Sequence, residues 1–338
     1  MSKVFIIAEA GVNHNGSLDL AKEMIDKAAL AGADAVKFQT FKTENLVTKS
    51  ARKADYQIDN TQSEESQYDM LKKLELDLNA HHALMDRASE KGIQFLSTPF
   101  DLESANSLLE LGLPIFKIPS GELTNLPLLR LIGSFNKEII LSTGMANLKE
   151  VSEALAALIK AGTAKENITI LHCNTDYPTD MRDVNLKAML TIENELGVNI
   201  GYSDHTLGIE VPISAVSLGA QIIEKHFTLD RNMDGPDHAA SLTPEELKNM
   251  IQSIRNIEKA LGDGIKKPTS SELKNKEIAR KSIFYVRSLR KGQSIRAEDL
   301  TTKRPGDGLS PMNWDNCIGK ILVKDVEQGD YVQIGDLE

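Results

Sequence analysis

The sequence predicts an α/β protein, a (β/α)8 (TIM) barrel followed by a small β-rich domain. Three observations carry this. Eight short apolar runs, of the kind buried on both faces, alternate with stretches of helical spacing. The eight units fit within roughly 250 residues, the usual span of such a barrel. Beyond residue 281 the texture changes to short apolar runs between glycine-containing turns. A doubly wound open sheet is the competing fold, but no GxGxxG follows the first strand.

Residues 4–8 form the first run, rich in β-branched side chains and followed directly by Glu9. After the polar loop GVNHNG, Ser17 is a plausible N-cap. Leu18, Ala21, Met24, Ile25 and Ala28 then recur at helical spacing, and Gly32 ends the helix. The second strand is 35–41, where Lys37 and Gln39 share a face. Residues 43–76 are long and polar; a helix is expected over 69–76 and an extended loop or lid over the rest. Helices over 81–91, 102–111, 126–135, 148–161, 186–196 and 210–218 alternate with strands at 93–98, 115–118, 138–141, 168–171, 198–202 and 220–223. Thr243 and Glu246 form a capping box with Pro244 at the first helical position, opening a helix that ends at Gly262 and Gly264. The expected domains are a barrel over 1–264, a linker over 265–280 and a small domain over 281–338. The small domain has runs at 283–286, 321–323 and 331–334 between KGQ, PGDG and EQGD turns. Its core would be thin, so docking on the barrel or on a second subunit is expected.

The 338 residues are 41% hydrophobic and 26% charged, enough for a sizeable core, with a formal charge of −10 and a pI near 5.3. That balance argues against nucleic acid as a partner, and an anionic ligand would need a local cluster of cations. Two distant cysteines, Cys173 and Cys317, argue against a disulfide framework and for a reducing compartment. Five apolar residues before Glu9 are too few for a signal peptide or a membrane span, so a cytoplasmic protein is expected.

Chemistry concentrates at the strand ends, where barrels of this type carry their active sites. Two apolar runs end in Ser203-Asp204-His205 and Glu224-Lys225-His226. Neutral imidazoles bind Zn, Mn or Fe, and two on neighbouring strand ends could share one ion; two structural histidines are the bland alternative. The full set of strand-end residues is Glu9, Lys37, Gln39, Thr98, Lys117, Ser120, Glu122, Ser142, Tyr177, Ser203, His205 and His226. Turn formation accounts for single Ser and Thr residues, but not for this concentration. Lys37 and Lys117 sit on otherwise apolar strands, where a lone ammonium is costly. Each either pairs with Glu9 or Glu122, or belongs to a cationic cradle for a phosphate or carboxylate. His14 is a turn or mouth residue, His81 and His82 are expected on the surface, and His172 lies near the site or in the core. Cys173 is expected to be packed rather than nucleophilic, and Trp314 to pack in the small domain.

The motifs IAEAGVNHNG, KFQTF, STPFD, KIPSGE, LSTGM, YSDHTLG, EKHFTLDR and GPDH, in this order, resemble those of the bacterial sialic acid synthases. KRPGDG and its surroundings resemble the antifreeze-like (SAF) domain of the same family. The resemblance spans the whole chain. It implies condensation of phosphoenolpyruvate with an N-acyl mannosamine-type sugar. It also implies a divalent metal on His205 and His226, Mn2+ first and Mg2+ or Co2+ as alternatives, that polarises the open-chain aldehyde. Lys37, Thr98, Lys117, Ser120, Ser142, Tyr177 and Ser203 match groups around the phosphoenolpyruvate phosphate and carboxylate. Gln39 and Phe100 are placed with the substrate-binding residues. Glu9 matches a site glutamate, and Glu122 and Asp237 match carboxylates near the sugar and the metal-bound water; Glu9, Glu122, Lys37 and Lys117 are the catalytic candidates. Arg304 matches an arginine that reaches from one subunit's small domain into another's barrel, which implies a swapped homodimer.

One motif departs from the family. Where some relatives have an asparagine two residues before the tyrosine, this chain has Thr175, and Asn174 is the substitute. The resemblance implies attack of phosphoenolpyruvate C3 on the aldehyde, capture of C2 by water, and loss of phosphate by C–O cleavage. Glu122 is the candidate base or acid for that water. N-acetylmannosamine is placed first as the sugar, giving N-acetylneuraminate. 2,4-Diacetamido-2,4,6-trideoxymannose, giving N,N'-diacetyllegionaminate, is the alternative, with pseudaminate synthesis beside it. An ice-binding protein is disfavoured by the charged turns of 281–338. A metal aldolase using free pyruvate would release no phosphate.

Overall fold

The computed structural model describes residues 3–61, 63 and 65–338. The chain divides into two units, Met1–Gly262 and Asp263–Glu338. The first contains eight parallel strands: β1 (Phe5–Gly11), β2 (Ala35–Thr40), β3 (Gln94–Pro99), β4 (Ile115–Ile118), β5 (Glu138–Ser142), β6 (Ile168–Cys173), β7 (Asn199–Asp204) and β8 (Ile222–His226). They form one sheet in the order β3-β2-β1-β8-β7-β6-β5-β4. Its two ends, β3 and β4, lie side by side, so the sheet rolls into a barrel with its helices outside.

The period of two along each strand builds the floor of the site. Ile7, Ala35, Leu96, Ile115, Ile140 and Leu171 pack together inside the barrel. Two residues further along the same strands come Glu9, Lys37, Thr98, Lys117, Ser142 and Cys173. On β7 the floor residue is Gly201, where a Cβ would lie 2.5 Å from both Leu171 Cδ2 and the Ile222 carbonyl. The opposite faces of the strands pack against the helices in one continuous apolar core.

The helices follow their local signals. Ser17 caps Leu18–Ala31 through Leu20 N, and Gly32 ends that helix in the left-handed region at φ 90°. The capping box of Thr243 and Glu246 opens Pro244–Leu261. Several strands run two or three residues past their apolar runs, because inward polar residues still pair in the ladder. Glu9, for example, is in register with both Lys37 and His226.

The segment expected as an extended loop contains three short helices, Thr43–Leu46, Asp55–Thr61 and Gln67–Lys72, and the last stops short of the helix expected over 69–76. Met70 and Leu74 bury against Val12 and Phe41, with Leu46, Leu71 and Phe100 packed beside them, so tertiary contacts give this polar stretch its shape. Lys53 is buried too, donating to Thr61 Oγ1 at 2.8 Å and to the Ser63 carbonyl at 2.6 Å.

Arg255 ties the base of β1 to the last barrel helix. It donates to the Val4 carbonyl at 2.8 Å and to Asp34 Oδ2 at 2.6 Å, and that same oxygen accepts from Ile6 N at 3.0 Å. Arg255→Ala is expected to cost about 2 kcal/mol, because charge-assisted bonds are lost and a carboxylate is left under-paired. A thermal melt followed by circular dichroism checks this; an unchanged midpoint would show that the clasp contributes nothing.

In the second unit, part of the stretch expected as a linker is the helix Ser270–Ala279. Its capping box, Thr269 with Glu272, marks its start, but no residue of the helix is buried and no apolar stripe announces it in the sequence. β9 (Ser282–Tyr285) and β10 (Leu300–Lys303) pair antiparallel. The runs at 321–323 and 331–334 make only isolated bridges. Ile283, Tyr285, Leu300, Cys317, Leu322 and Val332 are among the small core, with Trp314 packed at its edge.

Candidate active site

A cavity of about 430 Å³ opens at the C-terminal ends of the barrel strands. Glu9, Lys37, Gln39, Thr98, Phe100, Lys117, Ser120, Glu122, Ser142, Tyr177, Ser203, His205, His226 and Asp237 all line it. Asn174 does not. Its side chain turns away to donate to the Asp183 carbonyl at 2.9 Å, and its neighbour Thr175 faces the cavity. A residue at a strand end reverses face with each step, so the substitute read from sequence falls on the wrong side. Arg304 belongs to the second unit, where it is exposed and its Nε donates to the Ala279 carbonyl at 3.1 Å.

The floor of the cavity is an ion network. Lys37 Nζ lies 2.7 Å from Glu9 Oε2, donates to Thr98 Oγ1 at 2.8 Å, and approaches Glu224 Oε2 at 3.6 Å. Lys117 Nζ donates to Glu224 Oε1 at 3.1 Å, as does Ser203 Oγ at 2.8 Å. The partner of Lys117 is therefore Glu224 and not Glu122. Burial raises the affinity of Glu224 for a proton, but Lys117, Lys37 and the Ser203 hydroxyl outweigh it and hold this carboxyl well below its usual range. For Glu9 burial wins over Lys37 and pushes the pKa up to about 7. Burial also lowers that of Lys117, against the pull of Glu224. Lys37 is raised, because Glu224 and Glu9 together outweigh its desolvation.

Neutral donors surround the lysines. Ser142 Oγ is buried with no hydrogen-bond partner, a hydroxyl free for a ligand. Ser120 Oγ accepts from Gly144 N at 2.9 Å and lies 3.2 Å from Cys173 Sγ. Two ammonium groups and the free Ser142 hydroxyl in a buried floor suit a small polyanion.

The two histidines meet on the other side. His205 and His226 have ring centroids 5.4 Å apart, and Tyr177 packs on both at 4.2 and 5.6 Å. Burial pushes the pKa of His205 down to about 4 and that of His226 well below its ordinary value, so both imidazoles are neutral. His205 Nδ1 donates to the Asn174 carbonyl at 2.6 Å, which leaves Nε2 with its lone pair. His226 Nδ1 is buried without a hydrogen-bond partner, 4.0 Å from Asp237 Oδ2. Among the described residues no three His, Cys, Asp or Glu side chains converge as a ligand set. Two neutral imidazoles with an orphaned ring nitrogen fit a divalent cation whose remaining positions are left to water and substrate.

Glu122 stands at the rim, where Asn125 Nδ2 donates to its Oε2 at 2.6 Å and burial raises its pKa. Above it lies the 43–76 segment. Tyr56 packs against Tyr177 at 5.0 Å, and Asn60 Nδ2 donates to the Pro236 carbonyl at 2.6 Å.

Glu224 is the main residue absent from the sequence-based site. Its signal was available, since it lies two places before His226 and so shares its face. Tyr56 and Gln57, from the short helix Asp55–Thr61, and Met145, from the loop after β5, also line the cavity. His81, expected at the surface, is buried; its Nδ1 donates to the Asp77 carbonyl at 2.8 Å and its Nε2 meets Thr40 Oγ1 at 2.7 Å. His82 is exposed. His14 is buried, its Nδ1 accepting from Gly16 N at 3.0 Å. His172 Nε2 donates to the Val184 carbonyl at 2.9 Å.

Fold and site together define an enzyme of the (β/α)8-barrel class, with an anion-binding floor beside a pair of neutral imidazoles. Residues 24–266 match the NeuB family and residues 280–338 match the SAF domain, and the chain belongs to the NeuB family. It is 55% identical over 333 residues to the N,N'-diacetyllegionaminic acid synthase of Campylobacter jejuni, covering 98% of this chain and 100% of that one. It is 49% identical to the N,N'-diacetyllegionaminic acid synthase of Legionella pneumophila, covering 96% and 92%. The solved N-acetylneuraminic acid (sialic acid) synthetase of Leptospira borgpetersenii, in complex with citrate, is 37% identical with a TM-score of 0.71, over 81% of this chain and 90% of that one. Synthases of this family are generally metal-dependent.

Proposed function

We propose that this enzyme condenses phosphoenolpyruvate, 2,4-diacetamido-2,4,6-trideoxymannose and water to N,N'-diacetyllegionaminate and phosphate. The carrying observation is full-length identity of 55% and 49% to two synthases of that product, against 37% to the sialic acid synthetase. This reverses the order of the two sugars read from sequence and keeps the reaction. The cavity wall supports it. Leu46, Val47, Met70 and Leu71 face the cavity from the 43–76 segment, and such a wall suits a C6 methyl and an acetamido methyl better than hydroxyls.

Lys37 and Lys117, with Thr98, Ser120, Ser142 and Ser203, hold the phosphate and carboxylate of phosphoenolpyruvate; Gln39, Phe100, Tyr177 and Asp237 shape the rest of the pocket. His205 and His226 hold the divalent cation, Mn2+ on this reading, which when bound polarises the sugar aldehyde as a Lewis acid. C3 of phosphoenolpyruvate forms the new bond to the aldehyde carbon, and the aldehyde oxygen takes up a proton. Water adds to C2 and gives up a proton; the new C2 hydroxyl then gives up its proton as the C2 carbonyl forms, and the C2–O bond breaks with its electron pair leaving on phosphate. Glu122 sits at the rim, partly desolvated, as the base for that water, and Glu122→Gln is expected to lower kcat about 10²- to 10⁴-fold. Full turnover in a phosphate-release assay would remove Glu122 from this role.

On the same reading the enzyme works in the cytoplasm as a swapped homodimer, in which Arg304 of one subunit contacts the N-acyl group in the other's barrel. Arg304→Ala should then raise KM for the sugar and leave KM for phosphoenolpyruvate unchanged. The deciding assay is phosphate release with each sugar in parallel, metal-stripped and with Mn2+ restored. Faster turnover with the diacetamido sugar is expected. Turnover with N-acetylmannosamine alone would restore the sialic acid reading.

A further inference from the structure

Asp204 and Lys225 are fully buried, with 0% of either side chain exposed. They face each other directly across the β7–β8 ladder. Strand alternation turns them to the outer side of the barrel, while Ser203, His205, Glu224 and His226 face in. Lys225 Nζ donates to Asp204 Oδ2 and, at 2.5 Å, to the Thr206 carbonyl. The Asp204 carboxylate also accepts from Thr206 N at 3.1 Å and from its hydroxyl, 3.0 Å from each oxygen. Asp204 and Thr206 flank His205, and Lys225 precedes His226. One closed polar unit therefore grips the backbone on both sides of one imidazole and next to the other.

Stability alone does not explain charges at this place, since a buried ion pair is often no better than an apolar pair of similar volume. Register does. A slip of one residue between β7 and β8 would set Asp204 against Glu224 or His226 and leave Lys225 unpaired in the core. Apolar side chains would tolerate such a shift far better.

We infer that Asp204, Lys225 and Thr206 form a positioning unit that holds His205 and His226 side by side for one divalent cation. This rests on the metal reading above. The test is Mn2+ titration of the full-length, metal-stripped enzyme, with free ion read by electron paramagnetic resonance. In Asp204→Leu with Lys225→Met, affinity is expected to fall about 10- to 100-fold, the usual cost of disturbing groups behind a metal ligand, while far-UV circular dichroism is retained. A folded double variant with wild-type Mn2+ affinity would overturn the inference. If that variant does not fold, Thr206→Val, which removes the hydroxyl from Asp204 and keeps the ion pair, carries the test with the same two outcomes. His226→Ala separates the two readings. If it binds Mn2+ as the wild type does, or if the wild type binds none, the histidine reading has failed and the inference falls with it.

Discussion

Lys117→Met is expected to lower kcat/KM for phosphoenolpyruvate about a thousandfold, the upper range for losing one preorganised charged donor in a buried site. Lys117 has a single carboxylate partner, Glu224, and faces the cavity beside the unpartnered Ser142 hydroxyl. Methionine keeps the volume of the stem and removes the charge. Glu224 then retains Lys37 at 3.6 Å and Ser203 at 2.8 Å, so part of its stabilisation survives. The loss should therefore appear in binding and turnover of the anion more than in folding. Initial rates of phosphate release against phosphoenolpyruvate concentration measure it. An unchanged kcat/KM with a lowered melting temperature would mean that Lys117 serves the fold and does not touch the substrate.

Lys225→Met alone is expected to destabilise the barrel unit by about 4 kcal/mol, because it strands the Asp204 carboxylate in the core. That corresponds to a fall of roughly 10 °C in melting temperature for a unit of this size. The paired change with Asp204→Leu should recover most of the loss, since no charge is left alone. Melts of the two single variants and the double, completed as a cycle, check both statements. Equal losses in single and double variants would show that shape, and not charge, decides stability here.

The barrel was legible because its strands obey one rule. Ile7 then Glu9, Leu96 then Thr98, and Ile115 then Lys117 each place a polar side chain one step above the floor, on the same face. Counting by two recovers the polar floor of the cavity from sequence alone. The same rule carried past the end of β6, from Leu171 and Cys173, turns Thr175 inward; Asn174, taken from the resemblance and not from the count, lies one step off that face. Glu224 is within reach of the rule, two residues before His226 on the same face. The 43–76 segment was not legible, because Met70 and Leu74 take their places from Val12 and Phe41, which are distant in sequence. His81 misled for a related reason: a helix start reads as surface until Thr40 closes over it.

The place of β1 has a consequence for how the molecule is made. β1 lies between β2 and β8, and 214 residues separate Asn13 from Phe227, whose carbonyl takes the Asn13 amide. On the ribosome, where folding tends to start from the N-terminus, β1 keeps an open edge until nearly the whole barrel has emerged. Such distant pairings are slow to form, and an unpaired edge invites association with other chains. The last strand to arrive is also the one that brings Glu224 and His226 to Glu9 and Lys37. Sealing the barrel and assembling the site are one event, so a nascent chain stopped before β8 would be both inactive and prone to aggregate.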